Sequence, residues 1–322
     1  MSNRITDSDF SDWTPDQLPS LKDKTYLITG GNSGIGFAAA QMLAAANANI
    51  LIGARNATKA GKAVAEIAAI GTGTADYVLM DLAQLDSVRN AAADLKARYN
   101  QLDGLIANAG IMQTPETRTK DGFELQLATN HLGHFLLSGL LFEQVEAAAG
   151  RIVVVSSMAH KFGQIYFDDL MLTQNYSPER AYGQSKLANL LFAFELDRRL
   201  QAANSSVTAY ACHPGYTATQ LQSTGPEGFW HWLYQFTNAV LAQPAEQGAI
   251  PTVLAAAGQE AVPGAYYGPQ EWLECRGRVS DATVAPQALD AAAAARLWQE
   301  SEKQVGFAWP LPTKPSTPTT SI

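Results

Sequence analysis

The sequence predicts a single doubly wound α/β domain, a parallel sheet with helices on both faces. Three observations carry that expectation. Short continuous apolar runs alternate with helical stretches along most of the chain, the pattern of strands buried on both sides. A glycine loop, Thr29 to Gly36, separates the first apolar run from the first helix. The chain has 322 residues, 47% of them hydrophobic, which suffices for one large core, and no composition break or internal repeat marks a second domain.

Residues 1–20, with Trp13, Pro15 and Pro19 among acids, read as an extension lying over the domain or left mobile. The domain proper is expected over 21–308. Thr25-Tyr-Leu-Ile28 is the first strand, and an alanine-rich helix follows from about Ile35 to Ala46. Asn49 to Ile52 is the second strand and Thr58 to Ala69 the second helix. Tyr77 to Met80, a helix near Leu85 to Tyr99, and Leu105 to Ala107 continue the alternation. Phe123 to Ala149 is long and apolar enough for a central helix, and Arg151 to Val155 is a fifth strand. A polar, aromatic-containing connection over 158–178 leads to a helix ending near Ala202. Val207 to Ala211 is a sixth strand, Gly264 to Tyr267 a seventh, and Ala291 to Glu300 a late helix. The tail from Trp309 to Ile322, rich in Pro and Thr, reads as disordered.

Charge and cysteine content narrow the class. A net charge of −8 with no basic run counts against nucleic acid and anionic membrane as partners. Cys212 and Cys275 lack metal or redox spacing and read as free thiols of a reducing compartment. The start is acidic without an apolar h-region, and no apolar run reaches the ~18 residues of a membrane span. A soluble, cytoplasmic protein is expected, with a homo-oligomer left open.

Two motifs point to a dinucleotide. In Thr29-Gly30-Gly31-Asn32-Ser33-Gly34-Ile35-Gly36 the glycines let the backbone turn sharply and approach a pyrophosphate, which rests on the helix N-terminus. At the end of the second strand, where an acid would bond a ribose 2′-hydroxyl, Gly53-Ala54-Arg55-Asn56 offers an arginine instead. Its planar cation suits a 2′-phosphate, so NADP(H) is expected. A third motif supplies chemistry. Tyr182 and Lys186 lie one helical turn apart. An ammonium ~5 Å from a phenol, at an effective dielectric of ~20, favours the phenolate by about 3 kcal/mol, roughly two pK units. The pair alone is weak; its company makes it specific.

The glycine loop, Asn108-Ala109-Gly110, Asn130, Ser157, Tyr182-x-x-x-Lys186 and Pro214-Gly215 occur in order. In this the chain resembles the short-chain dehydrogenase/reductase family, a single-domain Rossmann-like branch, over about residues 21–275. Asn130-His-Leu-Gly-His-Phe-Leu137 and Tyr182 to Phe192 are similar to its retinol dehydrogenase-like, WW-domain oxidoreductase-like group. The resemblance implies that Ser157 holds the substrate carbonyl oxygen, with Ser156 directed to the opposite face. It implies that Tyr182 exchanges the proton, that Lys186 bonds the nicotinamide ribose, and that Asn130 holds a water linking Lys186 to solvent. It places Gly30, Asn32, Ser33, Gly34, Ile35, Gly36, Arg55 and Asn56 on the cofactor, Asp81 and Leu82 by the adenine, and Asn108, Ala109 and Gly110 by the adenosine ribose. Pro214, Gly215 and Thr217 would border the nicotinamide. Two departures stand out: Ala107 where the family usually has asparagine, and a longer gap between Ser157 and Tyr182, read as an inserted loop over 160–178.

Other candidates read as structural. His131 and His134 have helical metal spacing but no third ligand, so no metal is expected. His213 precedes Pro-Gly, and Asp168-Asp169 falls in the polar insertion. Phe229-Trp-His-Trp-Leu-Tyr-Gln-Phe236 is open between a substrate lid within 222–242, a subunit contact and a membrane-surface helix. The function expected is interconversion of a carbonyl compound, bulky and apolar if the aromatic stretch is a lid, and its alcohol. Reduction of an activated C=C bond and a non-catalytic NADP sensor are the alternatives.

Overall fold

The computed structural model describes residues 4–8, 10, 12–216 and 243–311. Thr217, the expected lid and its aromatic stretch, and residues 312–322 lie outside the described residues. Among the described residues eight strands form one sheet: β1 Thr25–Thr29, β2 Asn49–Ala54, β3 Ala75–Leu79, β4 Gly104–Ala107, β5 Arg151–Val155, β6 Thr208–Cys212, β7 Tyr266–Glu271 and β8 Arg276–Asp281. Their order is β3-β2-β1-β4-β5-β6-β7-β8, parallel throughout except for β8.

Side-chain alternation along the strands builds two cores. Leu51, Leu27, Leu105, Ile152 and Ala209 are register partners across β2, β1, β4, β5 and β6, and all face one core. Their neighbours Ile52, Ile28, Ile106, Val153 and Tyr210 form the matching row facing the other. A one-residue slip of any strand would exchange the rows, so register is strongly specified.

On the second face lie α1 (Gly34–Ala45), α2 (Ala57–Ala68) and α7 (Ala245–Ala257), through Ala39, Leu43, Ile67 and Val253. Alanines let α1 and α7 approach closely. On the first face lie α3 (Leu85–Arg98), α4 (Leu125–Leu127, a π-helical turn Ala128–Leu132, then Gly133–Leu140), α5 (Phe142–Ala147), α6 (Pro178–Ala202) and α8 (Ala291–Val305). Helix starts are marked as their residues require. Asn56 accepts from Lys59 N at α2, Ser177 from Arg180 N with Pro178 following at α6, and Asp290 from Ala292 and Ala293 N at α8.

Four features depart from the sequence reading. The expected central helix is broken at Leu141, and its first part carries the π turn. Helix α7 holds Pro251 in its interior, a residue that removes a helical N–H and ordinarily signals a break. The antiparallel β8 is mostly polar, as edge strands commonly are, and its hairpin turns through Trp272, Leu273 and Glu274, all at positive φ. The tail does not begin at Trp309: that ring packs 5.0 Å from Trp298, and Leu311 is also buried. At the other end, Ser8 N donates to Asp281 Oδ2 at 2.8 Å and Trp13, buried in the second core, donates to Glu260 at 2.9 Å, so the described part of the extension lies over the domain.

Candidate active site

Strand order reverses between β1 and β4, and in open parallel sheets ligands bind beyond the carboxyl ends at such a point. A cleft of about 700 Å³ opens there. It gathers Gly30, Asn32 to Gly36, Arg55, Asn56, Asp81, Leu82, Asn108 to Gly110, Ser157, Tyr182, Lys186, Pro214 and Gly215. Residues up to 185 positions apart in sequence thus line one space; Asn130 stands behind its wall, and Thr217 falls outside the described residues.

The glycine loop is shaped by sterics. Gly30 turns with φ +67°, and Gly36 passes so close to it that a Cβ would lie 2.7 Å from the Gly30 carbonyl oxygen. Ser33 stands at the N-cap of α1 without a side-chain hydrogen bond, so the first-turn amides face the cleft uncapped. A shape cut for close backbone approach and a free helix N-terminus fit a pyrophosphate. At the end of β2 both Arg55 and Lys59 border the cleft, and no acid of that strand end joins them. Lys59, one helical turn after Arg55 at the start of α2, is a second cation that the strand-end motif alone does not single out.

Beneath the loop a hydrogen-bond chain fixes β4. Asn108 N and Ala109 N each donate to Thr29 Oγ1 at 2.9 Å, and Asn108 Nδ2 donates to Thr29 O at 2.8 Å. Asp81 holds the turn after β3, accepting from Ala83 N and Gln84 Nε2.

Lys186 is the buried charge of the site. Its Nζ lies 5.8 Å from the Tyr182 ring centre and donates to Val155 O at 3.2 Å. Burial pushes its pKa down to about 8, only partly countered by Cys212, whose own thiol burial pushes up to about 12. The two serines diverge, as alternation requires. Ser156 Oγ is buried and donates to Lys186 O at 2.7 Å, whereas Ser157 Oγ sits at the cleft and accepts from Ala159 N at 3.2 Å.

Asn130 lies in the π turn, a distortion frequent at functional sites. Its carboxamide accepts from Ile111 N at 2.8 Å and donates to Ile111 O and Ser185 Oγ, both at 2.9 Å. Gly110 keeps the approach open, since a Cβ there would sit 3.3 Å from Asn130 Oδ1 and 3.5 Å from Lys186 Nζ.

The remaining candidates separate. His131 Nε2 pairs with Ser301 Oγ, while His134 bonds Asn130 O and Thr29. Burial lowers their pKa values to about 3 and about 4, leaving both rings neutral at pH 7. No His, Cys, Asp and Glu cluster fit for a metal occurs among the described residues. His213 is buried, accepts from Gly215 N, and lies 3.8 Å from Glu274. Asp168 is exposed, and Asp169 accepts from Thr173 N and Gln174 N in its own loop. Sequence reasoning missed Met112, Met158 and Phe162 as cleft residues. Single apolar residues in connections carry no periodic signal.

No helix among the described residues is long and apolar enough to cross a membrane. A short chain dehydrogenase family model matches residues 24–228. Human retinol dehydrogenase 13 is 39% identical over 306 residues, 90% of this chain and 87% of that protein. An uncharacterised protein from Mycobacterium paratuberculosis superposes with a TM-score of 0.78 at 39% identity, covering 94% of this chain and all of that one. A short chain dehydrogenase from Burkholderia cenocepacia, solved in complex with NADP, matches with a TM-score of 0.61 at 26% identity, over 77% of this chain and 96% of its own. With the ordered motifs brought into one cleft, the chain belongs to the short-chain dehydrogenase/reductase family, in its retinol dehydrogenase-like group, and is an oxidoreductase acting on CH–OH or C=O groups with NAD(P).

Proposed function

We propose that the chain is an NADP(H)-dependent oxidoreductase that interconverts a bulky apolar ketone or aldehyde and its alcohol. The observation that carries this reading is the meeting of Ser157, Tyr182 and Lys186 in the same cleft as the glycine loop and the Arg55/Lys59 pair. The glycine loop and the uncapped start of α1 would receive the pyrophosphate, and Arg55 with Lys59 the 2′-phosphate. The NADP bound by the Burkholderia relative supports that choice. When bound, the nicotinamide supplies or accepts the hydride.

The chain's own residues do the rest. Ser157 Oγ donates a hydrogen bond to the substrate oxygen, stabilising negative charge as it develops there. Tyr182 gives its phenolic proton to that oxygen during reduction and takes it back during oxidation. The Lys186 ammonium, held in a poorly solvated wall, favours the phenolate. Asn130 fixes Ile111 and Ser185, and so sets the wall beside Lys186.

The test is oxidation of NADPH and NADH by purified protein with aldehydes and ketones graded by size and apolarity. Turnover with NADPH and a bulky apolar carbonyl is expected. A preference for NADH would overturn the cofactor assignment, and silence across the panel with NADPH bound would overturn the carbonyl assignment.

A further inference from the structure

Phe162 is 91% exposed, yet it belongs to the cleft that Ser157, Met158 and Tyr182 line. A solitary exposed hydrophobic side chain needs no explanation by itself. This one stands on a turn, Met158–Phe162, that is fastened at almost every residue. His160 Nδ1 faces Ser157 O at 2.7 Å and must carry the ring proton, while its Nε2 accepts from Ala285 N at 3.2 Å. Burial lowers the His160 pKa to about 4, so this neutral ring keeps both bonds at pH 7.

The two residues flanking Phe162 are held as firmly. Gln287 Nε2 reaches the carbonyl oxygens of His160, Lys161 and Gly163 at 3.3, 3.1 and 3.3 Å. Lys161 Nζ is drawn away to Glu274 Oε2 at 2.7 Å and Thr283 Oγ1 at 2.8 Å. Gly163 lies against α6 so tightly that a Cβ would sit 2.8 Å from Gly183 C, one residue from Tyr182. The turn is therefore a strut, braced on the segment after β8 and on α6, that presents an aromatic ring to water beside the reacting hydroxyls. The charge nearest in sequence is drawn away towards Glu274, leaving Met112, Met158 and Phe162 among the apolar residues that line the cleft.

We propose that Phe162 is a specificity-determining residue whose ring packs against the alkyl chain or ring system adjoining the substrate carbonyl. Carbonyl compounds with an extended apolar flank are then the preferred class, because only they cover the ring. This rests on the carbonyl reading above, and the test separates the two.

Decanal and propanal are reduced with NADPH by the wild type, Phe162→Ala and Phe162→Leu. In parallel, binding of 1-decanol to the NADP⁺-loaded proteins is measured by calorimetry. Phe162→Ala should lower kcat/KM for decanal about tenfold and leave propanal within about twofold, with Phe162→Leu recovering most of the loss. Equal losses on both aldehydes, or no loss on decanal, would overturn the proposal. If the wild type reduces neither aldehyde, the carbonyl reading is judged on the wider panel above, and decanol binding alone decides for Phe162. Affinity about tenfold weaker in the alanine variant alone supports the wall; equal affinities, or no decanol binding by the wild type, overturn it.

Discussion

The Thr29 hydroxyl and the His134 imidazole meet at 2.8 Å beneath the cleft, and the direction of that bond is determined by its surroundings. His134 Nδ1 faces the Asn130 carbonyl at 3.0 Å, so it carries the proton and Nε2 is left as acceptor. Thr29 then donates to His134 and receives Asn108 N and Ala109 N on its oxygen. One neutral ring thus ties the π turn of α4 to the turn after β4.

Two substitutions divide that tie. His134→Leu removes both bonds and should weaken NADPH binding about five- to tenfold while lowering kcat. His134→Asn keeps a donor where Nδ1 stood, so kcat should largely return while the affinity defect persists. Fluorescence titration with NADPH alongside kcat would show the split, and equal defects in both variants would reduce His134 to a packing residue.

Arg55→Ala and Lys59→Ala should each weaken NADPH binding on the order of tenfold and leave NADH binding nearly unchanged. Because both side chains are exposed, the NADPH defect should shrink as salt rises. Parallel losses for both nucleotides would remove the pair from the 2′-phosphate.

Tyr182→Phe deletes one oxygen at the cleft. Turnover should vanish with NADPH affinity held within about threefold, whereas Ser157→Ala should cost about 10²-fold in kcat. Steady-state rates beside cofactor titrations decide, and residual turnover by the phenylalanine variant would take Tyr182 out of the proton path.

Lys186 should cost the protein stability. Its folded pKa, about 8, lies below the ordinary lysine value of 10.5, so between these values the unfolded chain binds more protons and stability rises with pH. Below pH 8 the burial penalty stands in full, at roughly 3 kcal/mol or less. Lys186→Met should therefore raise the cofactor-free protein's unfolding midpoint at pH 7 and lose that advantage towards pH 10, while abolishing turnover. A destabilised methionine variant at pH 7 would contradict this.

Acid should act through the imidazoles. His131, His134, His160 and His213 are all buried with lowered pKa values, about 3 or 4. The unfolded chain protonates them near pH 6.5, so stability is complete above that pH and falls as pH drops towards 4, by up to ~1.4 kcal/mol per pH unit for each ring. Urea midpoints compared at pH 7 and pH 5 measure it; identical midpoints would refute it.

Much of this was legible because backbone chemistry writes itself into residue type. Strands buried on both sides need unbroken apolar runs, so Leu27, Ile28, Leu105 and Ile106 announced β1 and β4. The Gly30–Gly36 turn admits no Cβ at its tightest point, so glycine spacing located the loop. Other features are decided by tertiary partners. Helix α7 tolerates Pro251 because its alanine face buries against α1, and β8 exists because β7 offers an edge. Whether Phe162 is core, surface or cleft depends on where Gln287 and Glu274 anchor its turn, more than a hundred residues away.

Each side of the sheet is sealed by a tryptophan from an opposite end of the chain: Trp13 in one core, Trp309 in the other. The asymmetry matters during synthesis. Trp13 precedes every strand, but the side closed by Trp309 stays open until residue 309 has left the ribosome, after all eight described strands. A nascent chain stalled before that point leaves Phe135, Phe192 and Trp298 without the ring that packs on all three, an apolar surface open to association with other chains.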